Sequence, residues 1–214
     1  MDRILPPGVV LVERSDDVSI DTVWPGELGP VSSASISRQM EYATVRSCAR
    51  AALTTLGVGE AAILQDPKGC PLWPDHVVGS MTHCRGFRAA AVARTELVRT
   101  LGIDAEPAQS LPEGVLTRIT TPQERTSIES LVAQSPETPW DKVLFSLKES
   151  LYKAWYPLTH TPLEFREATV HLHPNGHCDL HVTRPVPPEI PPPTWQARWC
   201  LSDGFVATAV WVPT

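Results

Sequence analysis

Two segments of this chain repeat apolar residues with helical period, and eight further short runs of strand length are rich in apolar residues. Ser35 to Leu56 offers serines as N-caps, Gly57 as a stop, and a stripe of Val45, Ala49, Ala52, Leu53 and Leu56. Pro139 to Tyr156 starts near Asp141, is closed by Pro157, and carries Leu144, Leu147, Leu151, Ala154 and Trp155 on its buried side. The strand candidates are Val9–Val12, Val77–Met81, Phe87–Ala93 and Val98–Ile103 early in the chain. Later come Ala168–Leu172 and Cys178–Thr183 around Pro174-Asn175-Gly176, then Trp195–Leu201 and Phe205–Trp211 around Asp203-Gly204. Connections this tight favour antiparallel neighbours. Each half thus predicts one long helix on a small, mostly antiparallel sheet, an α+β layout.

Composition limits the function classes. At 42% hydrophobic and 20% charged the chain reads as a soluble domain. With 18 basic against 24 acidic residues it is mildly acidic, and no stretch gathers the Lys/Arg density a nucleic-acid binder needs. Its longest apolar runs are too short for a membrane span, and Met1-Asp2-Arg3 followed by Pro6-Pro7 shows no export segment. Cys48, Cys70, Cys84, Cys178 and Cys200 contain no C-x-x-C pair, which suits free thiols in a reducing cytoplasm. Six of the 22 prolines lie between Pro185 and Pro193 and predict an extended loop between two late strands.

Four groups of residues bear on chemistry. Arg38, Tyr42, Arg46 and Arg50 recur every fourth residue, stacking three guanidinium groups on one exposed helix ridge that reads as a solvated face by itself. Asp104 and Glu106 share one side of a strand, where paired carboxylates suit a hard divalent ion or stand as plain surface acids. On the second helix Glu149 and Lys153 lie one turn apart, as a surface ion pair or as the acid completing a trio while Lys148 and Lys153 face phosphoryl oxygens. Ser80 and His83 sit in Gly79-Ser80-Met81-Thr82-His83, without the G-x-S-x-G of a hydrolase elbow. The late hairpin carries His171, His173, His177 and His181; zinc is conceivable, but the spacing matches no finger and a polar hairpin face is the simpler reading.

Taken in order, the Arg-bearing helix, Lys68-Gly69-x-Pro71-x-Trp73-Pro74, Gly79-Ser80-x-Thr82-His83, Gly102-Ile103-Asp104-x-Glu106 and Phe145-Ser146-x-Lys148-Glu149-x-x-x-Lys153-Ala154-Trp155 resemble one family. It is the Sfp/EntD-type 4′-phosphopantetheinyl transferases, and Thr44 to Arg50 and Tyr152 to Thr159 are most similar to its actinobacterial, mycobacterial-type branch. The resemblance covers roughly Ser35 to Val170. It implies a pseudo-twofold pair of α+β halves, here residues 1–103 and 104–214, with coenzyme A in the cleft between them. It implies an enzyme of holo-[acyl-carrier-protein] synthase type that moves the 4′-phosphopantetheine arm of coenzyme A onto a serine of an apo acyl or peptidyl carrier protein. Polyketide, peptide-synthetase and fatty-acid carriers all present such a serine, and the other product is adenosine 3′,5′-bisphosphate. By motif, Asp104, Glu106 and Glu149 would hold Mg²⁺ (or Mn²⁺), and Glu149 would also take the serine proton. Lys148 and Lys153 would neutralise diphosphate charge; Arg38, Arg46, Lys68, Ser80 and His83 would grip the adenosine phosphates. Gln65 stands where relatives often place a basic residue, and Ala105 offers the metal nothing. A two-half cleft needs no partner subunit, so a cytoplasmic monomer is expected. The alternatives are a metal-dependent phosphoesterase using the same acids, and a non-catalytic coenzyme- or carrier-binding module.

Overall fold

The computed structural model describes all 214 residues. The chain begins with β1 (Val10–Arg14), followed by α1 (Ile36–Thr55) and the short pair β2 (Leu64–Gln65) and β3 (Pro71–Leu72). Three longer strands come next: β4 (Val77–Cys84), β5 (Phe87–Arg94) and β6 (Val98–Pro107). Helices α2 (Val115–Ile119), α3 (Pro122–Gln134) and α4 (Trp140–Thr159) precede the last four strands. Those are β7 (Ala168–Leu172), β8 (His177–Val182), β9 (Gln196–Ser202) and β10 (Phe205–Pro213). The expected α+β architecture is present: one sheet runs β1-β5-β4, a second runs β6-β10-β9-β8-β7, and their pairs are antiparallel.

Each half packs one 20-residue helix on its sheet. Cys48, Ala49, Ala52 and Leu53 of α1 meet Val77, Ala90 and Val92 of the first sheet. On the other side of β5, Ala89, Ala91 and Ala93 join Leu101, Ile103, Ala207 and Ala209 in a core between the sheets. Strand β5 is therefore covered on both sides, which is why its sequence is apolar without alternation. The α4 core takes Leu144, Leu147, Leu151 and Ala154 against Val170, Val206 and Val210.

Gly102 lets α4 come down onto β6. A Cβ there would lie 1.9 Å from the Ser150 carbonyl oxygen and 2.8 Å from the Ala154 nitrogen. Gly102→Ala must push the helix off the strand, and a loss of about 3 kcal/mol is expected in urea titration. Wild-type stability in that variant would contradict this packing.

Hydroxyls splice the two sheets. Ser80 Oγ accepts from the Ile103 amide at 3.0 Å, and Thr82 Oγ1 accepts from the Ala105 amide at 3.1 Å. Strands β4 and β6 are thereby joined through side chains, and the seam carries the site.

Several expectations need correction. Strand β6 pairs with β10 from Val98 to Pro107, so the second sheet begins before residue 104. Pro157 does not close α4: Thr159 Oγ1 donates to the Trp155 carbonyl, His160 N–H donates to that of Tyr156, and His160 ends the helix at φ 54°. The arginine ridge is not uniformly exposed: Arg38 is, but Arg46 and Arg50 are 3% and 5% exposed, Arg46 packed by Tyr42 and the Ile63–Gln65 segment and Arg50 by the irregular first segment. Arg50 is a structural group: one terminal nitrogen donates to both oxygens of the buried Glu27 carboxylate at 3.0 Å, and the other donates to the Thr22 carbonyl at 2.7 Å. The proline-rich segment is a loop between β8 and β9, as its composition predicts.

Candidate functional site

A cleft of about 240 Å³ opens between the halves. Arg38, Arg46, Lys68, Ser80 and His83 line it from the first half and Lys153 from the second. The first turns of α1 supply the arginines, the β2–β3 turn presents exposed Lys68, and β4 supplies Ser80 and His83.

Arg46 is held by three contacts. Its guanidinium lies 3.3 Å above the Tyr42 ring, Nε donates to the Ile63 carbonyl at 3.1 Å, and one terminal nitrogen donates to Gln65 Oε1 at 3.3 Å. Burial lowers its pKa to about 10, so it keeps its charge at neutral pH. Gln65, where a basic residue was expected, instead orients Arg46. Arg38 is exposed, pairs with Glu41 at 3.3 Å and abuts the His83 ring.

Burial, and then the Arg38 charge, depress the His83 pKa to about 4. A histidine whose folded pKa falls below its unfolded value charges only at the cost of fold stability, which declines as pH falls from about 6.5 toward 4. An NMR titration of the ligand-free protein is expected to find His83 neutral at pH 6, with its midpoint near 4. A midpoint near 6.5 would contradict the burial and the arginine contact.

At the seam, Asp104 is 5% exposed. Its Oδ1 accepts from Thr82 Oγ1 at 3.1 Å and Lys153 Nζ at 2.8 Å, and its Oδ2 accepts from Ser146 Oγ at 2.8 Å. Glu106 pairs with Lys142 at 3.3 Å. Glu149 has a raised pKa: burial pushes it up, Lys153 opposes, and the charges of Asp104 and Glu106 push it further up. The three acids thus share one electrostatic neighbourhood, but they do not close into a ready three-ligand cage. Lysines neutralise two of them instead. Their donor chemistry fits a hard cation, since Mg²⁺ takes one or two carboxylates and completes its shell with water and substrate phosphate.

Lys148 must be corrected. Its ammonium pairs with Glu124 at 2.8 Å and donates to the carbonyls of Ile119, Phe165 and Ala168 at 2.7–2.9 Å. At 3% exposed and fully engaged inside the second half, it is not a diphosphate ligand in this arrangement. Glu149, one residue on and about 100° around the helix, borders with Lys148 a second pocket beside Tyr152 and Phe165, and it shares with the cleft the Tyr152 wall. The hairpin histidines lie off the cleft: His171, His177 and His181 are exposed, and His173 Nε2 is 2.7 Å from Asp179.

Sequence reasoning passed over Thr82, Ser146 and Lys142, which hold the acids. The available signal was a hydroxyl residue at a core-facing position in each motif, because a buried hydroxyl needs a partner.

Fold and cleft define an α+β protein with a cleft lined by Arg38, Arg46, Lys68 and Lys153 between its two helix-covered sheets. Comparison with known proteins narrows the class. Residues 27–93 match the 4′-phosphopantetheinyl transferase N-terminal domain, and residues 100–209 match the 4′-phosphopantetheinyl transferase superfamily. The chain is 45% identical to the 4′-phosphopantetheinyl transferase Svp of Streptomyces mobaraensis, over 97% of this chain and 87% of that protein. It is 41% identical to the 4′-phosphopantetheinyl transferase PptT of Mycobacterium tuberculosis, over 88% and 86%. Enterobactin synthase component D of Salmonella typhimurium is 30% identical, over 89% and 79%. The chain belongs to the 4′-phosphopantetheinyl transferase superfamily and is an enzyme of that type. No helix is long and apolar enough to cross a membrane.

Proposed function

We propose that the enzyme takes the 4′-phosphopantetheine arm from coenzyme A, sets it on a serine hydroxyl of an apo acyl or peptidyl carrier protein, and releases adenosine 3′,5′-bisphosphate. The observation that carries this reading is the cleft itself, where Arg38, Arg46, Lys68 and His83 share one lining with Lys153, whose ammonium pairs with Asp104 at 2.8 Å. Helix α1, the β2–β3 turn and β4 would hold the adenosine phosphates, and β6 with α4 would carry the reacting diphosphate.

Arg46 offers a guanidinium already fixed by Tyr42 and Gln65, so little side-chain freedom is lost when an anion arrives. Arg38 and Lys68 add exposed charge at the cleft rim. Lys153, held by Asp104 and the Ile103 carbonyl, places an ammonium where diphosphate charge would build. Asp104, Glu106 and Glu149 would hold Mg²⁺ or Mn²⁺, which supplies charge neutralisation at the diphosphate when bound. Glu149, its carboxyl pKa raised by burial, is the stronger base for it and would accept the serine proton. Five free thiols support a reducing, cytoplasmic setting, and both sides of the cleft come from one chain, which supports action as a monomer.

Incubation with coenzyme A and Mg²⁺ should add one phosphopantetheine mass to apo carriers drawn from polyketide, peptide-synthetase and fatty-acid systems. No adduct on any carrier, or coenzyme A cleavage without a carrier, would overturn the proposal; the second result would favour a phosphoesterase.

A further inference from the structure

The turn that presents Lys68 is tied across the cleft. Asp66, just after β2, organises it: Oδ1 accepts from the amides of Lys68 at 2.8 Å and Cys70 at 2.9 Å, while the Gly69 amide donates to the Asp66 carbonyl at 2.9 Å. The other carboxylate oxygen, Oδ2, accepts from the Tyr156 hydroxyl at 3.1 Å. Tyr156 belongs to the last turns of α4 in the opposite half, 90 residues away, and lies against Tyr152 with ring centres 6.2 Å apart. Tyr156, Lys68 and Cys70 all line the cleft.

Pro67, Lys68 and Gly69 are exposed, and the sheet pairing that carries the turn is no longer than the two-residue strands β2 and β3. A lysine on so short a support would sweep a wide volume, and its charge would be worth little to a bound anion. The Tyr156–Asp66 hydrogen bond removes that freedom from outside the turn. We propose that Tyr156 is a positioning residue, holding the Asp66–Cys70 turn over the cleft so that Lys68 meets the phosphates at the nucleotide end of the ligand. The proposal rests on the coenzyme A reading above. Tyr156 lies two turns along α4 from Glu149, about 10 Å by helix rise, beyond contact with the reacting atoms there, so it sets ligand affinity and leaves the chemical step alone.

The test is steady-state transfer to an apo carrier by Y156F, K68A and the double variant, with coenzyme A binding measured separately by tryptophan fluorescence. Y156F is expected to raise KM and Kd for coenzyme A about five-fold, with kcat held and the melting temperature unchanged. In the K68A background the same substitution should add almost nothing, because the hydroxyl acts through that lysine. Wild-type KM in Y156F, a loss confined to kcat, or a full five-fold effect on top of K68A would each overturn the proposal. If the wild-type protein neither binds coenzyme A nor modifies a carrier, it is the coenzyme reading that fails. If it does both and Y156F matches it, only the positioning role falls.

Discussion

Glu149→Gln is expected to lower kcat for carrier modification about 10³-fold while coenzyme A still binds within a few-fold of wild type. The amide keeps the shape of the side chain and loses the site for the proton. Burial raises the Glu149 pKa, and Asp104 and Glu106 raise it further against the pull of Lys153. A carboxyl so placed is a better proton acceptor for a serine than an ordinary surface glutamate, and no neutral amide replaces it. Mass spectrometry of the carrier over time gives kcat, and fluorescence gives coenzyme affinity. Turnover within ten-fold of wild type would remove Glu149 from the role of base.

Lys148→Met is expected to act on the fold instead. The thioether chain fills the space of the lysine stem but leaves the Glu124 carboxylate without its cation and three backbone carbonyls without their donor. Glu124 is 1% exposed, so its charge stays uncompensated; it also caps α3 through the Thr121 amide and accepts from the Val170 amide. Breaking one side of a buried pair of this kind costs about 3–5 kcal/mol. In a chain of this length that lowers the melting temperature by about 10 °C or more. Calorimetry reads it directly. An unchanged melting temperature with a raised KM for coenzyme A would restore Lys148 to the ligand site and contradict its position here.

These two residues show where the sequence is readable. Adjacent in one motif, Lys148 and Glu149 invite a shared role, yet the helix turns one into the core and the other toward the acids. Both long helices are visible from periodicity, because a stripe such as Leu144, Leu147, Leu151 and Ala154 puts every apolar side chain on one helix face. The strands are visible to within a few residues for the same reason. Helix α3 escaped notice although Thr121 and Glu124 form a capping box, since Ile128 and Leu131 are its only buried apolar residues. The arginines of α1 looked equivalent by spacing. What separates them is the irregular first segment, which brings Glu27 onto Arg50 and leaves Arg46 open to the cleft. Partners so distant in the chain leave no local pattern. The acids were legible as candidates, and Lys153 as a partner of Glu149, but the pairing of Lys153 with Asp104 and of Lys142 with Glu106 was not.

The central claim is that the seam beneath the cationic cleft holds one cation and the diphosphate of coenzyme A together. Crystals grown with coenzyme A and Mn²⁺, and phased for anomalous scattering, test it most directly. The account predicts one manganese peak bounded by the diphosphate and the carboxylates of Asp104, Glu106 and Glu149, with the adenosine phosphates against Arg38, Arg46 and Lys68. A peak elsewhere, or a diphosphate bound while Lys153 and Lys142 still neutralise Asp104 and Glu106 with no metal between them, would contradict it.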